Sequence, residues 1–454
     1  MAILGFHVVV TLVVLTIISK LGSRLSVVQL YLVNGLYRYV APSNFELRSL
    51  LPATKEKTNP RQRRNQREKE DTTGFNIPKQ LPLQLRITPV TVEDLQKFTL
   101  FSSVHWLSLF TPLCLVVYVM SETFLFFFPD NGDVNVSVIW LVIAVAFVLQ
   151  VLASLTAYLI VNHDERTLLL TIGSLYFLFA CIFTMWAERI FDINILEAYD
   201  HFSANIAKLM LETGATETLD SRLKSPLLLY ISLSVFFAFL SAMLMFPNFR
   251  FATIYRSATD FVSAPMRALL HTSFLLPAVT ILLYTRPVKQ QLVFGPRKLL
   301  TEPQLEILRV YFTILTLVLR SFVRRPHLQA HLDTSHEKVQ QLQKETGRIR
   351  NFDLQQTILR YYTYLNAVIL QYYSPVLLSF FFALLLKSTG GLSWLGQPVS
   401  QEITPSSTAA MGAIRSIFDT VVCKAVWSYA LLITTVINFS LSLLGIIYNA
   451  SVTA

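Results

Sequence analysis

The sequence predicts an all-α membrane protein, a polytopic bundle of about nine transmembrane helices with amphipathic interfacial and cytosolic helices between them. Three observations carry this expectation. Hydrophobic residues make up 53% of the chain and phenylalanine alone contributes 33 residues. Charged residues are only 15%, and they gather between apolar runs, which describes a chain whose main solvent is lipid. The runs themselves have membrane length, because crossing a hydrocarbon core of about 30 Å takes about 20 residues rising about 1.5 Å each. Nine such runs lie at about 2–19, 106–128, 137–161, 167–187, 226–246, 268–284, 305–323, 359–386 and 425–448.

Composition also narrows the function classes. Cys114, Cys181 and Cys423 are far apart and sit in or beside apolar runs, so they read as small buried hydrophobes and not as a disulfide or zinc framework. The net charge of +10 comes from bases flanking apolar segments. That placement is a topology signal, and no nucleic-acid partner follows from it.

Residues 1–40 form an N-terminal membrane anchor followed by an interfacial segment. The apolar core Met1–Ser19 is followed by Lys20 and Arg24, with no base before it. That order favours an uncleaved anchor with its N-terminus outside the cytosol, although a short run of this kind also leaves a cleaved signal peptide open. Leu25–Val40 mixes Leu, Val and Tyr with Gln, Asn and Arg, which predicts an amphipathic interfacial helix.

Residues 41–101 form a basic cytosolic connector, partly disordered. Between Lys55 and Lys69 it holds seven bases (Lys55, Lys57, Arg61, Arg63, Arg64, Arg67 and Lys69) against two acids. Such a run fixes topology and offers a site for anionic lipid headgroups. With the connector cytosolic, the polar turn after the second run faces outward. It carries the sequon Asn135-Val136-Ser137, so glycosylation at Asn135 is expected.

The helical bundle occupies 102–454. Its third and fourth runs join through a tight turn at Asn162–Arg166. The loop Glu188–Lys224, with seven acids and four bases, suits the non-cytosolic side and contains a short surface helix, ILEAYDHFSANIAKLM. After the fifth run, FRFATIYRSATDFVSAPMR predicts a separate interfacial cytosolic helix. The loop Arg286–Glu302 carries four bases (Arg286, Lys289, Arg297 and Lys298) and one acid, yet the helix count places it outside. Were the Pro277-containing sixth run re-entrant, that loop would be cytosolic instead.

The stretch Leu305–Tyr373 is the organising feature. An apolar helix, a polar cytosolic connector over 324–354 and a second apolar helix follow one another without a long loop. Within the connector, Leu332, Val339, Leu342 and Ile349 occupy four of six heptad a/d positions and predict a partner-facing seam. His327 and His331 are four residues apart and share a helix face, with His336 beyond them. Histidines at that spacing can hold a metal, but on a cytosolic helix they are more often polar surface, and no metal or cofactor is assigned.

Ionisable groups at membrane depth are the remaining candidates, because they are costly in lipid. Arg309 and Arg320 share a face, but each lies within about 5–6 Å of a helix end and an arginine stem can snorkel that far. Glu122 lies about 9 Å inside its run with a short stem. It is expected to be protonated, to face water or to have a buried polar or basic neighbour from another helix, with Arg309 at matching depth. His271, four residues into its run, is a weaker candidate. Tyr362, Asn366 and Tyr373 fall within about one quadrant of the eighth helix. They suit interhelical hydrogen bonding, with a polar pathway as the alternative.

The segments RPHLQAHL, KETGRI and LQYYSPVLL resemble the Transmembrane protein 161 family, as do VNVSVIW, MFPNFRFA and ALLHTSFLLPA. The likeness is densest over 265–380 and thin in the basic loop and at 388–420. The family pattern has an aromatic-type residue where this chain has His331, which weakens the metal reading. The resemblance implies a non-enzymatic multi-pass protein of the endoplasmic reticulum or plasma membrane. It further implies a role in membrane excitability and in calcium and potassium handling, with a protein partner such as an ion channel or pump. The alternative is an ion channel or secondary transporter using Glu122 and Tyr362/Asn366/Tyr373. No nucleophile–base pair or metal constellation supports an enzyme.

Overall fold

The computed structural model describes residues 6–22, 26–49, 75–77, 85–128, 135–213, 226–344, 349–397 and 416–453. The basic run Lys55–Lys69 lies outside them. Among the described residues, seven helices are long and apolar enough to cross a membrane: Phe101–Phe127, Val136–Leu159, His163–Ile190, Leu227–Phe261, Ala264–Leu283, Asn351–Thr389 and Thr420–Ser451. Two of the nine expected runs fall short of that standard. The apolar part of the first helix is only Phe6–Ile17, and the helix Glu302–Phe322 carries Glu302, Glu306, Arg309 and Arg320.

In chain order, α1 is Phe6–Gly22, β1 Tyr37–Val40, α2 Asn44–Ser49, β2 Asn76–Ile77, β3 Arg86–Pro89 and α3 Val92–Leu95. The long helices follow as α4 (Phe101–Phe127), α5 (Val136–Leu159) and α6 (His163–Ile190). The anticipated surface helix is α7 (Ile195–Thr213). Next come α8 (Leu227–Phe261), α9 (Ala264–Leu283), the short α10 (Arg286–Leu292) and α11 (Glu302–Phe322). The remainder is α12 (Arg324–Lys344), β4 (Ile349–Arg350), α13 (Asn351–Thr363), α14 (Leu365–Thr389) and α15 (Thr420–Thr453).

Local chemistry sets several starts. Glu165 accepts the Asn162 N–H at 3.2 Å and Gln304 accepts the Thr301 N–H at 2.9 Å, so each reaches back from the first turn of α6 or α11. Proline sits in the first turn of α9, α10 and α11, where a missing N–H costs nothing.

The centre of the bundle is α14. Every residue from Leu365 to Lys387 is buried. A helix apolar on all sides has no face to offer water, and α5, α8, α11 and α15 enclose this one. The peripheral α6 is the opposite case. It turns Leu168, Leu170, Leu175, Leu178, Ile182 and Met185 outward, as a lipid-facing helix does.

Two expectations for local structure fail. Leu25–Val40 is not one amphipathic helix, because it contains a π-helical turn at Val28–Val33 and then β1, which pairs antiparallel with β3. The Tyr-Arg-Tyr-Val sequence of β1 is strand-favouring, and the edge of β3 supplies its hydrogen bonds. The separate interfacial helix expected after Phe246 is instead the continuation of α8, which runs through Pro247 to Phe261. Its buried face continues through Phe251, Ala252, Ile254, Tyr255 and Ala258, so packing outweighs the proline.

The seam expectation also fails. Leu332, Val339 and Ile349 are buried by this same chain, and Leu342 is partly buried. Val339 and Ile349 pack with Leu47, Ile77, Leu354 and Ile358 in a satellite core built from both connectors. Asn351 donates to Asn44 at 3.0 Å and Gln329 donates to the Tyr37 carbonyl at 3.1 Å, which ties the two connectors further. A heptad pattern reports that a stripe is covered without saying by which chain.

The contacts sort the connections onto two ends. At the connector end, 26–49 and 75–97 meet α12 and α13, and Arg256 donates to the Asn449 carbonyl. At the opposite, loop end, Asp192 N–H donates to the Tyr284 carbonyl at 2.7 Å, and Asn205 reaches the Ile417 carbonyl. Both α9 and α11 run from one end to the other. Arg286–Glu302 therefore shares an end with 191–213, and α9 is one continuous helix despite Pro277.

Candidate functional site

At the loop end, buried carboxylates pair with buried bases. Glu122 of α4 meets the Lys387 ammonium of α14, with the two side chains only 14% and 9% exposed. Trp394 donates its indole N–H to the same carboxylate at 3.2 Å, and Lys387 lies over the Trp394 ring at 4.9 Å. Tyr311 of α11 then donates to the Trp394 carbonyl at 2.7 Å. Each ion taken out of water costs several kcal/mol, so a pair this buried persists because its geometry and extra hydrogen bonds repay that cost. Glu122 thus has the buried basic neighbour it needs, but the neighbour is Lys387 and not Arg309.

Arg309 is committed elsewhere. It donates to Asp192 at 2.8 Å and, through Nε, to the Leu283 carbonyl at 3.1 Å, while its guanidinium covers the Tyr284 ring at 4.4 Å. Lys289 joins at 3.0 Å from Asp192 and 3.1 Å from Glu302. Burial works to raise the Asp192 carboxyl, yet Arg309 and Lys289 together hold it below its ordinary value. The basic excess of the 286–302 loop has a local cause here. Lys289 is spent neutralising Asp192 and Glu302.

Neither arginine snorkels. Arg309 is 3% exposed and Arg320 is 7% exposed, because both stems turn inward along the face α11 shows to the bundle. Arg320 lies over the Phe251 ring at 3.6 Å, with Tyr372 at 5.4 Å. Among the described residues it has no carboxylate partner, and its Nε has no hydrogen-bond acceptor. A cation–π contact is worth about 0.5–2 kcal/mol. Burying the charge costs several kcal/mol, so the aromatic rings do not offset it.

The polar residues of the eighth run are consumed by their own surroundings. Asn366 donates to the Leu95 carbonyl at 3.1 Å and the Thr99 carbonyl at 3.2 Å. Tyr373 meets the Tyr31 hydroxyl at 3.5 Å, and the Arg38 guanidinium covers the Tyr362 ring at 4.2 Å. Because the helix turns at Tyr364, Tyr362 belongs to α13 while Asn366 and Tyr373 belong to α14. These contacts tie the eighth run to residues 31–99 and not to another of the long apolar helices. His271 makes a 2.5 Å hydrogen bond with Tyr255. Asn135 caps α5, accepting from the Ser137 N–H at 3.1 Å and the Ser137 hydroxyl at 2.6 Å.

One family model matches residues 2–453 and is described as Predicted transmembrane protein 161AB. The chain belongs to this family. No solved structure matches it. As a member of the transmembrane protein 161AB family it is a multi-pass membrane protein.

In this family member the two connector histidines are not polar surface. His327 and His331 are each 1% exposed. His327 stacks on Phe251 and Tyr372, with ring centroids 5.0 and 4.5 Å away. His331 lies 3.1 Å from Arg250 through Nδ1 and 3.0 Å from the Tyr361 carbonyl through Nε2. A guanidinium only donates and a carbonyl only accepts, so His331 is the neutral tautomer with its proton on Nε2. Both nitrogens are then occupied. Among the described residues no three His, Cys, Asp or Glu side chains gather as a metal set.

That environment makes acid destabilising. Burial first, then Arg250, pushes the His331 imidazole from 6.5 down to about 3. The folded state therefore resists a proton that the unfolded chain accepts. The contribution of neutral His331 is complete above about pH 6.5 and is lost as pH falls from 6.5 towards 3, by about 1.4 kcal/mol per unit. Thermal melts of detergent-solubilised protein between pH 7.5 and pH 5 are expected to drop steeply for the wild type and less steeply for His331→Gln. Equal slopes would remove His331 from the account.

Sequence reasoning missed Lys387, Asp192, Lys289, Trp394 and Arg250. Lys387 sits at the end of an apolar run, where a base ordinarily marks the interface. Nothing in its spacing points back across 265 residues to Glu122.

Proposed function

We propose that this protein modulates ion handling and membrane excitability without catalysing a reaction, by acting on a channel or pump in the same bilayer. What supports this reading is the internal commitment of its buried carboxylates. Glu122 is spent on Lys387, and Asp192 on Arg309 and Lys289. A conduction or transport route requires polar groups facing a continuous aqueous path, with ion sites weak enough to release their cargo. Here the strongest polar groups hold helices to helices. The outward apolar faces, such as that of α6, are where a membrane partner or lipid would lie. Calcium and potassium as the ions concerned, glycosylation at Asn135, headgroup binding by Lys55–Lys69 and residence in the endoplasmic reticulum or plasma membrane belong to the same proposal, on the strength of the family.

The test is reconstitution. Purified protein in liposomes, assayed with potassium- and calcium-sensitive dyes, is expected to give flux equal to that of protein-free liposomes. Cells depleted of the protein are expected to show altered currents that re-expression restores. A flux carried by the pure protein would replace this reading with the channel or transporter one.

A further inference from the structure

We infer that the bundle holds one small monovalent anion, of chloride size, in a partly enclosed cavity lined in part by Arg320. The cavity lies between α8, α9, α11, α14 and α15 and has a volume of about 30 Å³. A single water needs about 10–15 Å³, so the space suits one small ion or a pair of waters. Its polar lining includes Thr280, Thr313, Thr316, Ser379, Asn438 and Arg320.

Charge decides between those occupants. Arg320 is 7% exposed, is always protonated, and takes part in no ion pair among the described residues. Its Nε is buried without an acceptor. A cation is excluded from such a field, and water alone leaves the guanidinium without a counter-charge in a low-dielectric interior. A bulky oxyanion does not fit the volume.

The hydroxyls are suited to adapt. Thr280, Thr313 and Thr316 donate to the Leu276, Arg309 and Phe312 carbonyls of their own helices at 3.2, 3.0 and 2.8 Å. Such bonds to a carbonyl that already serves the helix are readily exchanged, so an O–H can swing onto an anion when one is present. Hydrogen bonds to an ion are stronger than those between neutral groups, which favours the swing. This inference does not depend on the modulator reading.

The experiment uses the full-length protein in chloride-free gluconate, with chloride or bromide added at constant ionic strength. Thermal unfolding is followed by tryptophan fluorescence. A saturable rise in midpoint with either halide, and none with sulfate, is expected. Arg320→Met is expected to raise the half-saturating chloride concentration by about tenfold or more, the scale of losing a charged hydrogen-bond partner. In gluconate it is expected to melt no lower than the wild type, because it removes a buried charge that lacks a counter-ion. Thr316→Val keeps the charge and is expected to weaken the halide response by a smaller factor. Should Arg320→Met fail to fold, anomalous density for bromide in wild-type crystals decides. A peak in the cavity supports the site, and an empty or water-filled cavity overturns it. Wild-type melts that are identical in chloride and gluconate also overturn it, as does a halide response unchanged in both variants.

Discussion

Replacing Lys387 with methionine is expected to cost the protein about 3–5 kcal/mol, enough to leave little folded material after extraction. The substitution strands Glu122, whose side chain is 14% exposed and whose other described partner is the Trp394 indole. A neutral donor cannot compensate a buried carboxylate as an ammonium does. The double replacement Lys387→Met with Glu122→Leu is expected to recover most of the loss, since an apolar pair of similar volume is often as stable as a buried ion pair. Fluorescence-detected size exclusion after heating reads both. If the single variant keeps wild-type thermostability, or the double is no better than the single, the pair does not hold α4 to α14.

Gly445→Leu is expected to be nearly as damaging, at about 3 kcal/mol, the upper part of the overpacking range. A Cβ at Gly445 on α15 would sit 2.8 Å from the Ala252 Cβ and 3.1 Å from Phe249 Cδ1 on α8. In lipid, helices gain little from hiding apolar surface from one another, so close backbone approach supplies much of the attraction. A leucine there wedges the two helices apart. Gly173→Ala is the control, because its added carbon would meet only the Ala242 Cβ at an ordinary 3.8 Å. The melting midpoint should fall for the first and hold for the second. Equal midpoints would mean that the α8–α15 contact carries no strain and the helices tolerate spreading.

Depth was legible in the sequence and direction around the helix axis was not. Counting residues from the end of a run placed Glu122 well inside and pointed to a buried polar or basic neighbour, which is Lys387. Counting also placed Arg309 at matching depth, but α11 turns Arg309 to Asp192 and leaves Lys387 for Glu122. Snorkelling failed for the same reason. A stem long enough to reach an interface is long enough to reach a buried carboxylate or an aromatic ring, and only the neighbours decide. In water an amphipathic stripe reveals which face is inside. Here apolar residues face both lipid and protein, so α14 and α6 read alike although one is wholly enclosed and the other largely outward. The short strands escaped because two-residue and four-residue pairings leave almost no periodicity, and because β2 pairs with a strand more than 270 residues away.

The enclosure of α14 bears on how the chain can be made. Synthesis delivers the most surrounded helix next to last, after α5, α8 and α11 but before α15. For a time one flank of α14, later covered by the Tyr429–Leu441 stretch of α15, has only lipid against it. The Leu/Phe run from Val376 to Leu386 is at ease there, since acyl chains solvate it as well as protein does. Its polar residues are placed where earlier segments already wait. Asn366 finds the Leu95 and Thr99 carbonyls, and Lys387 finds Glu122, all from the first third of the chain. The keystone can thus be seated by its ends before its last neighbour has left the ribosome.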